Sequence, residues 1–191
     1  GKSKDITIES CIFEHDKGSL YILNQERQKR ILIESVEFKN ISEQVALYLD
    51  QSTSSSAITI NECTFDHCRG TTNKCIDITM VTALTFSNSI IKNHESSGIT
   101  NYIGKINQQN VNSLHLVNIS FVNNTSDSLY GGGSSLIVNT NSADFTLKFS
   151  NCLFVGNSAR TNKGQSRPVS DGDPDYHNGD GGGIQIGHYC L

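Results

Sequence analysis

The chain has 191 residues, 36% of them hydrophobic, and a formal net charge of −4; that is enough for one domain with a real core. No run approaches the ~18 apolar residues of a membrane helix, and the negative balance argues against a nucleic-acid-binding face, which needs clustered Lys and Arg. Five Ala stand against twenty Ile and fifty-seven residues of Asn, Ser or Thr, which favours strands and polar turns over helices.

Along the chain one template recurs six times: apolar, any, apolar, two residues, a small or apolar residue, any, then an apolar residue that is usually Phe. The copies are Ile6-Ile8-Cys11-Phe13, Ile31-Ile33-Val36-Phe38, Ile58-Ile60-Cys63-Phe65, Leu84-Phe86-Ser89-Ile91, Leu114-Leu116-Ile119-Phe121 and Leu147-Phe149-Cys152-Phe154. A second motif follows each: small, apolar, any, apolar. Its copies begin at Ser19, Ala46, Cys75, Gly98, Ser135 and Gly183, and the fourth is degraded at Asn101. Period-two alternation turns one side of each short strand inward. Strands this short cannot bury a face alone, so two or three per period are expected to wind into a coil. Stacked coils would hydrogen-bond in parallel at about 4.8 Å, six of them spanning roughly 29 Å. The slip in alternation between positions 8 and 11, or 60 and 63, fits a bend between two sheets. The expected fold class is all-β, a parallel β-helix or solenoid of about six coils, forming one domain over 1–191. An ordinary β-sandwich would not repeat one apolar template at nearly one period.

Polar insertions are expected in the turns near 50–56, 100–112 and 158–182. The last carries both prolines, Pro168 and Pro174, and no apolar pattern, which makes it the expected contact surface. Within it Asp171, Asp173 and Asp175, with Asp180 further on, alternate like the oxygen ligands of a calcium loop. Tyr176 stands where an EF-hand needs Gly, so a solvated acidic turn is the main expectation and calcium the alternative.

Cys11, Cys63 and Cys152 share one template position with Val36, Ser89 and Ile119 and are expected as small buried residues. Cys68 and Cys75 flank one turn and are the expected disulfide, leaving Cys190 without an evident mate. The set Cys63, Asp66, His67, Cys68 and Cys75 matches no standard zinc spacing, and no zinc is expected there. Asn-x-Ser/Thr sequons stand at Asn40, Asn118, Asn123 and Asn124, expected at exposed turns or outward strand positions open to a glycan. Such sites fit an extracellular or cell-surface protein, although the chain opens without the charged-then-apolar leader of a secretory signal.

The pairs Phe121-Val122-Asn123-Asn124 and Phe154-Val155-Gly156-Asn157, with Gly181-Gly182-Gly183-Ile184 and loosely Gly131-Gly132-Gly133-Ser134-Ser135-Leu136, carry a resemblance. Phe38-Lys39-Asn40 is off by one. The sequence resembles right-handed parallel β-helix proteins, especially the polymorphic outer-membrane-protein-like repeats of surface proteins. That resemblance implies a secreted or surface-displayed segment, adhesive or structural, and fixes no ligand. Polysaccharide lyases and hydrolases of this architecture need convergent carboxylates on one face. The expected outward rows, Thr7, Leu32, Thr59, Thr85, His115 and Lys148 on one sheet, with Tyr21, Tyr48, Asp77, Thr100, Ile137 and Gln185 on another, place no two acids in adjacent coils. Tyr21 and Tyr48 could stack on a sugar ring. The chain is therefore expected to be a non-enzymatic structural or adhesive segment of a longer solenoid. Its expected partners are other protein chains or flanking coils, with glycans as the alternative, and no cofactor is expected beyond the calcium alternative.

Overall fold

The computed structural model describes residues 5–15, 19–23, 30–42, 45–50, 57–68, 74–79, 83–94, 97–103, 113–126, 136–140, 146–159 and 184–188. They form strands and turns, with no helix among the described residues, and no helix long and apolar enough to cross a membrane. Three sheets hold six parallel strands each. The first contains Ile6–Glu9, Arg30–Glu34, Ala57–Asn61, Ala83–Ser87, Ser113–Val117 and Thr146–Ser150. The second contains Ile12–Glu14, Glu37–Lys39, Thr64–Asp66, Ile90–Lys92, Ser120–Val122 and Leu153–Val155. The third contains Leu20–Leu23, Leu47–Asp50, Lys74–Thr79, Ser97–Ile103, Leu136–Thr140 and Ile184–His188. The chain visits the sheets in this order in every repeat, and each strand pairs with its counterpart one repeat away.

Register follows the apolar template. Ile6 pairs with Ile31, Ile31 with Ile58, Ile58 with Leu84, Leu84 with Leu114 and Leu114 with Leu147. A one-residue slip would turn every inward side chain outward, so burial itself locks the pairing. The inward residues of the middle repeats are buried, from Ile31 and Ile33 to Leu114 and Leu116. Their counterparts in the outer strands, Ile6, Ile8, Leu147 and Phe149, are only partly so. Each buried aliphatic or Phe side chain contributes about 1.5–3 kcal/mol.

The slip in alternation is a bend made by one residue in the left-handed region. Ser10, Ser35, Glu62, Asn88, Asn118 and Asn151, at φ 50° to 54°, each end a first-sheet strand. A second bend follows the second-sheet strand at His15, Asn40, His67, Asn93, Asn123 and Gly156, at φ 51° to 72°. L-residues adopt this conformation at a cost that Asn and Gly bear most easily, which explains the Asn enrichment of both bends. Backbone hydrogen bonds continue through them, as from Asn88 N–H to Val117 O at 2.9 Å and from Asn40 N–H to Asp66 O at 3.0 Å. The sheets thus bend without breaking their ladders.

Inside the second sheet, Phe13, Phe38 and Phe65 stack with ring centroids 5.0 and 4.7 Å apart, and Phe121 stacks on Phe154 at 4.9 Å. The fourth repeat exchanges its residues. Ile91 takes the Phe position, while Phe86 takes an Ile position in the first sheet and meets Phe65 edge-on at 6.0 Å. The aromatic volume moves from one wall of the core to the other.

Two features depart from the sequence reading. Residues 100–103, expected in a polar excursion over 100–112, belong to the strand Ser97–Ile103, whose backbone is held by Lys74–Thr79 on one side and Leu136–Thr140 on the other. A short fourth sheet pairs Thr125–Ser126 with Ser158–Ala159, so the segment expected as a long turn begins as a strand. Residues 51–56, 104–112 and 160–182 lie outside the described residues.

Candidate functional site

Two kinds of inward polar position follow from the bends. The residue after each first bend is Cys11, Val36, Cys63, Ser89, Ile119 or Cys152. Cys63 and Cys152 donate long thiol hydrogen bonds to backbone carbonyls (Asn61 O at 3.2 Å, Leu116 O at 3.4 Å), and Ser89 accepts the N–H of Cys63 at 2.9 Å. The cysteines here are free thiols in a small-residue position, and burial raises the Cys63 pKa.

The residue after each described second bend from the second repeat onward is Ile41, Cys68, His94, Asn124 or Asn157. Ile41 is apolar, but from Cys68 onward these side chains form an interior ladder that satisfies the turn backbone, Cys68 Sγ donating to Phe38 O at 3.5 Å. Asn157 Oδ1 accepts the N–H of Asn124 at 3.0 Å, Asn124 Oδ1 accepts the N–H of His94 at 3.2 Å, and His94 Nδ1 accepts the N–H of Cys68 at 3.0 Å. In the other direction Asn157 Nδ2 donates to Phe121 O and Asn124 Nδ2 to Ile91 O, at 2.9 and 3.1 Å. The Asn of the Phe-x-x-Asn motif is therefore this inward residue, and Cys68 and His94 stand in its place in the third and fourth repeats.

Cys68 and His94 meet Cys75, which enters the third sheet beside Ile76. The sulfurs of Cys68 and Cys75 and a ring nitrogen of His94 all lie within 4.8 Å of one another, and all three residues are buried. The two cysteines are free thiols. Burial, then the neighbouring Cys68 thiol, pushes the Cys75 thiol far above its ordinary value. Burial also lowers the His94 pKa from 6.5 to about 4, so its imidazole is neutral. Its Nδ1 lies 2.8 Å from the Cys68 carbonyl, while Nε2 is buried with no hydrogen-bond partner. Two thiols and a neutral imidazole are a soft donor set of the kind that holds thiophilic metal ions.

Sequence reasoning paired Cys68 with Cys75 and missed His94. The signal was the spacing: His94 follows Ile91 as Asn124 follows Phe121 and Cys68 follows Phe65. Asp66 and His67, grouped with these cysteines in the sequence, face away. Asp66 lies 2.7 Å from His67 Nδ1 and 3.2 Å from Lys92 Nζ, and it accepts a hydrogen bond from Asn93 Nδ2 at 2.8 Å. Burial alone would raise the Asp66 pKa, but Asn93 and Lys92 outweigh it and hold it below the usual value.

The sequon asparagines separate into two classes. Asn40, Asn118 and Asn123 are exposed, and all three occupy left-handed bends, which account for Asn there without a glycan. Asn118 Nδ2 donates to Asn88 Oδ1 at 2.9 Å, and Asn88 Nδ2 to Asn61 Oδ1 at 2.8 Å, an outward ladder of amides. Asn124 corrects the expectation of an exposed site: it is fully buried, and its Nδ2, the atom a glycan would occupy, donates to Ile91 O. Asp171, Asp173, Asp175, Asp180 and Cys190 lie outside the described residues. Tyr21 and Tyr48 do lie side by side, ring centroids 5.4 Å apart, with Tyr21 about half exposed (47%). No family model matches the chain, and neither the curated proteins nor the solved structures contain a significant match.

Proposed function

We propose that this chain is a non-enzymatic structural or adhesive segment of a larger extracellular or cell-surface protein, built as a right-handed parallel β-helix of about six coils. The observation that carries the reading is the one-to-one parallel register of three six-stranded sheets, visited in the same order in every repeat. Such a body is stiff along its axis, because each coil is hydrogen-bonded to its neighbours along three walls. The first and sixth repeats leave the apolar residues Ile6, Ile8 and Phe13, or Leu147, Phe149 and Phe154, only partly buried, and Ile12, Leu153 and Val155 are exposed. Contacts through the turns or by coil-on-coil stacking fit those surfaces. The extracellular placement rests on the likeness of the Phe-x-x-Asn and Gly-rich motifs to surface-protein repeats and on the exposed sequons Asn40, Asn118 and Asn123.

The second reading, a lectin-like or carbohydrate-active β-helix, is favoured by the Tyr21–Tyr48 pair. Incubation with neutral and acidic polysaccharides, with and without calcium, separates the two. Shortening of a polymer would overturn the non-enzymatic reading. Retention abolished by Tyr21→Ala would move the assignment to a lectin-like module. No retention, together with concentration-dependent assembly in light scattering, is the outcome expected of a stacking structural segment.

A further inference from the structure

The geometry points to a buried binding site for one thiophilic d10 cation, Zn(II) or Cu(I), held by the thiolates of Cys68 and Cys75 and the imidazole of His94. The two sulfurs and one ring nitrogen of His94 already lie within 4.8 Å of one another, close enough for side-chain adjustments to reach metal–sulfur and metal–nitrogen distances of about 2.3 and 2.0 Å. The second observation is the unpartnered Nε2 of His94, a polar atom in a fully buried residue. Asn124 and Asn157 at the same position satisfy both of their amide atoms through the backbone. A histidine cannot do so, and a buried polar atom left unpaired is costly.

The tautomer changes at Nδ1 when an ion binds. This nitrogen accepts the Cys68 N–H at 3.0 Å and lies 2.8 Å from the Cys68 carbonyl. In the metal-free chain that acceptor role puts the ring proton on Nε2; ligation through Nε2 moves the proton to Nδ1, where the Cys68 carbonyl accepts it, and frees the Nε2 lone pair. A backbone carbonyl in that role is the usual orienting partner of a metal-bound histidine. Binding then gives the lone pair a partner and releases the two thiol protons to solvent as the sulfurs ligate.

The site joins two repeats, since Cys68 and Cys75 belong to the third and His94 to the fourth. An ion there would pin the second bend to the start of the third-sheet strand and lock the neighbouring repeat onto both. Three donors satisfy Cu(I), whereas Zn(II) takes a fourth. The shared chemistry is the bis-thiolate imidazole set, and the ion chosen reports the coordination number.

The test uses the full chain, reduced and stripped of metal under anaerobic conditions. It is titrated with Zn(II) and, separately, with Cu(I), each against a chromogenic chelator, and stoichiometry is read by native mass spectrometry. One equivalent should bind, and the melting temperature should rise with it. His94→Asn and Cys75→Ala place at each position a residue that other repeats carry there, Asn124 and Ala46, so both variants should fold. Each should weaken binding by at least about 100-fold and lose the ion-dependent rise in melting temperature. Tight Cu(I) binding alone would mark a three-donor site, and tight Zn(II) binding a site completed by a fourth donor. The proposal is overturned if the reduced chain holds neither ion stoichiometrically, or if both variants bind as well as the parent. It is also overturned if Cys68 and Cys75 are found cross-linked in protein purified without reductant and the reduced pair still takes no ion.

Discussion

His94 is the residue at which the interior departs furthest from its own pattern. In the metal-free chain the imidazole is packed against the thiols of Cys68 and Cys75, and of the charged side chains Asp66 favours its protonation while His67 opposes it. Its pKa is about 4 in the folded chain against an ordinary 6.5. Above pH 6.5 neither state is protonated and its contribution to stability is fully present. As pH falls toward 4, the unfolded chain takes up a proton that the folded chain refuses, and stability drops by about 3 kcal/mol. Urea unfolding of metal-free protein across this range should show that loss, and His94→Asn should remove this component of it. Gly156 makes a second residue-scale case. It is the one described bend residue with no side chain, and a Cβ there would come 2.2 Å from Asn123 Oδ1. Gly156→Val should therefore destabilise by more than the ~1–2 kcal/mol of the left-handed backbone alone. Gly156→Asn, which copies Asn40, Asn93 and Asn123, should cost less in the same thermal melts once the Asn123 amide swings aside.

At the scale of the element, the fourth repeat shows that the ladders share volume. Ile91→Phe alone places a second ring where Phe86 already fills the core, and should destabilise by about 1–3 kcal/mol. Phe86→Ile alone should also destabilise, by leaving a void. The double substitution restores the pattern of the third repeat, Ile60 and Phe65, and should lose much less than the sum. Chemical denaturation of the four proteins measures that coupling directly. Asn124→Ala strands the N–H of His94 and the carbonyl of Ile91 together, and should cost about 2–3 kcal/mol. The apolar walls were legible in the sequence because one force, burial, acts alike at Ile6, Ile31, Ile58, Leu84, Leu114 and Leu147. The row of residues after the second bend was not, because Ile41, Cys68, His94, Asn124 and Asn157 share a place and a backbone geometry but no hydropathy. Its asparagines were visible only as sequons or as half of a motif. The sequence also linked Cys68 to Cys75 through one short turn, while the contact with His94 depends on stacking one repeat upon the next.

Across the whole molecule, burial grades from the middle outward. Ile60→Ala, in a fully buried position, should cost about 2–5 kcal/mol, and Ile8→Ala, in the partly buried first repeat, distinctly less. Hydrogen exchange should likewise be slowest in the strands Ala57–Asn61 and Ala83–Ser87, whose inward residues are buried, and faster in Ile6–Glu9 and Thr146–Ser150, whose inward residues are only partly buried. The two bends carry a consequence of another kind. The stretch from the first inward residue to the second bend has the same length in all six repeats: Ile6 to His15, Ile31 to Asn40, Ile58 to His67, Leu84 to Asn93, Leu114 to Asn123 and Leu147 to Gly156. All variation in repeat length falls after it. The chain is thus composed of a fixed measure followed by a free one. A foreign peptide spliced into the free part would leave the beat of the walls intact, whereas a single residue added to the fixed part would put that repeat out of step with every other.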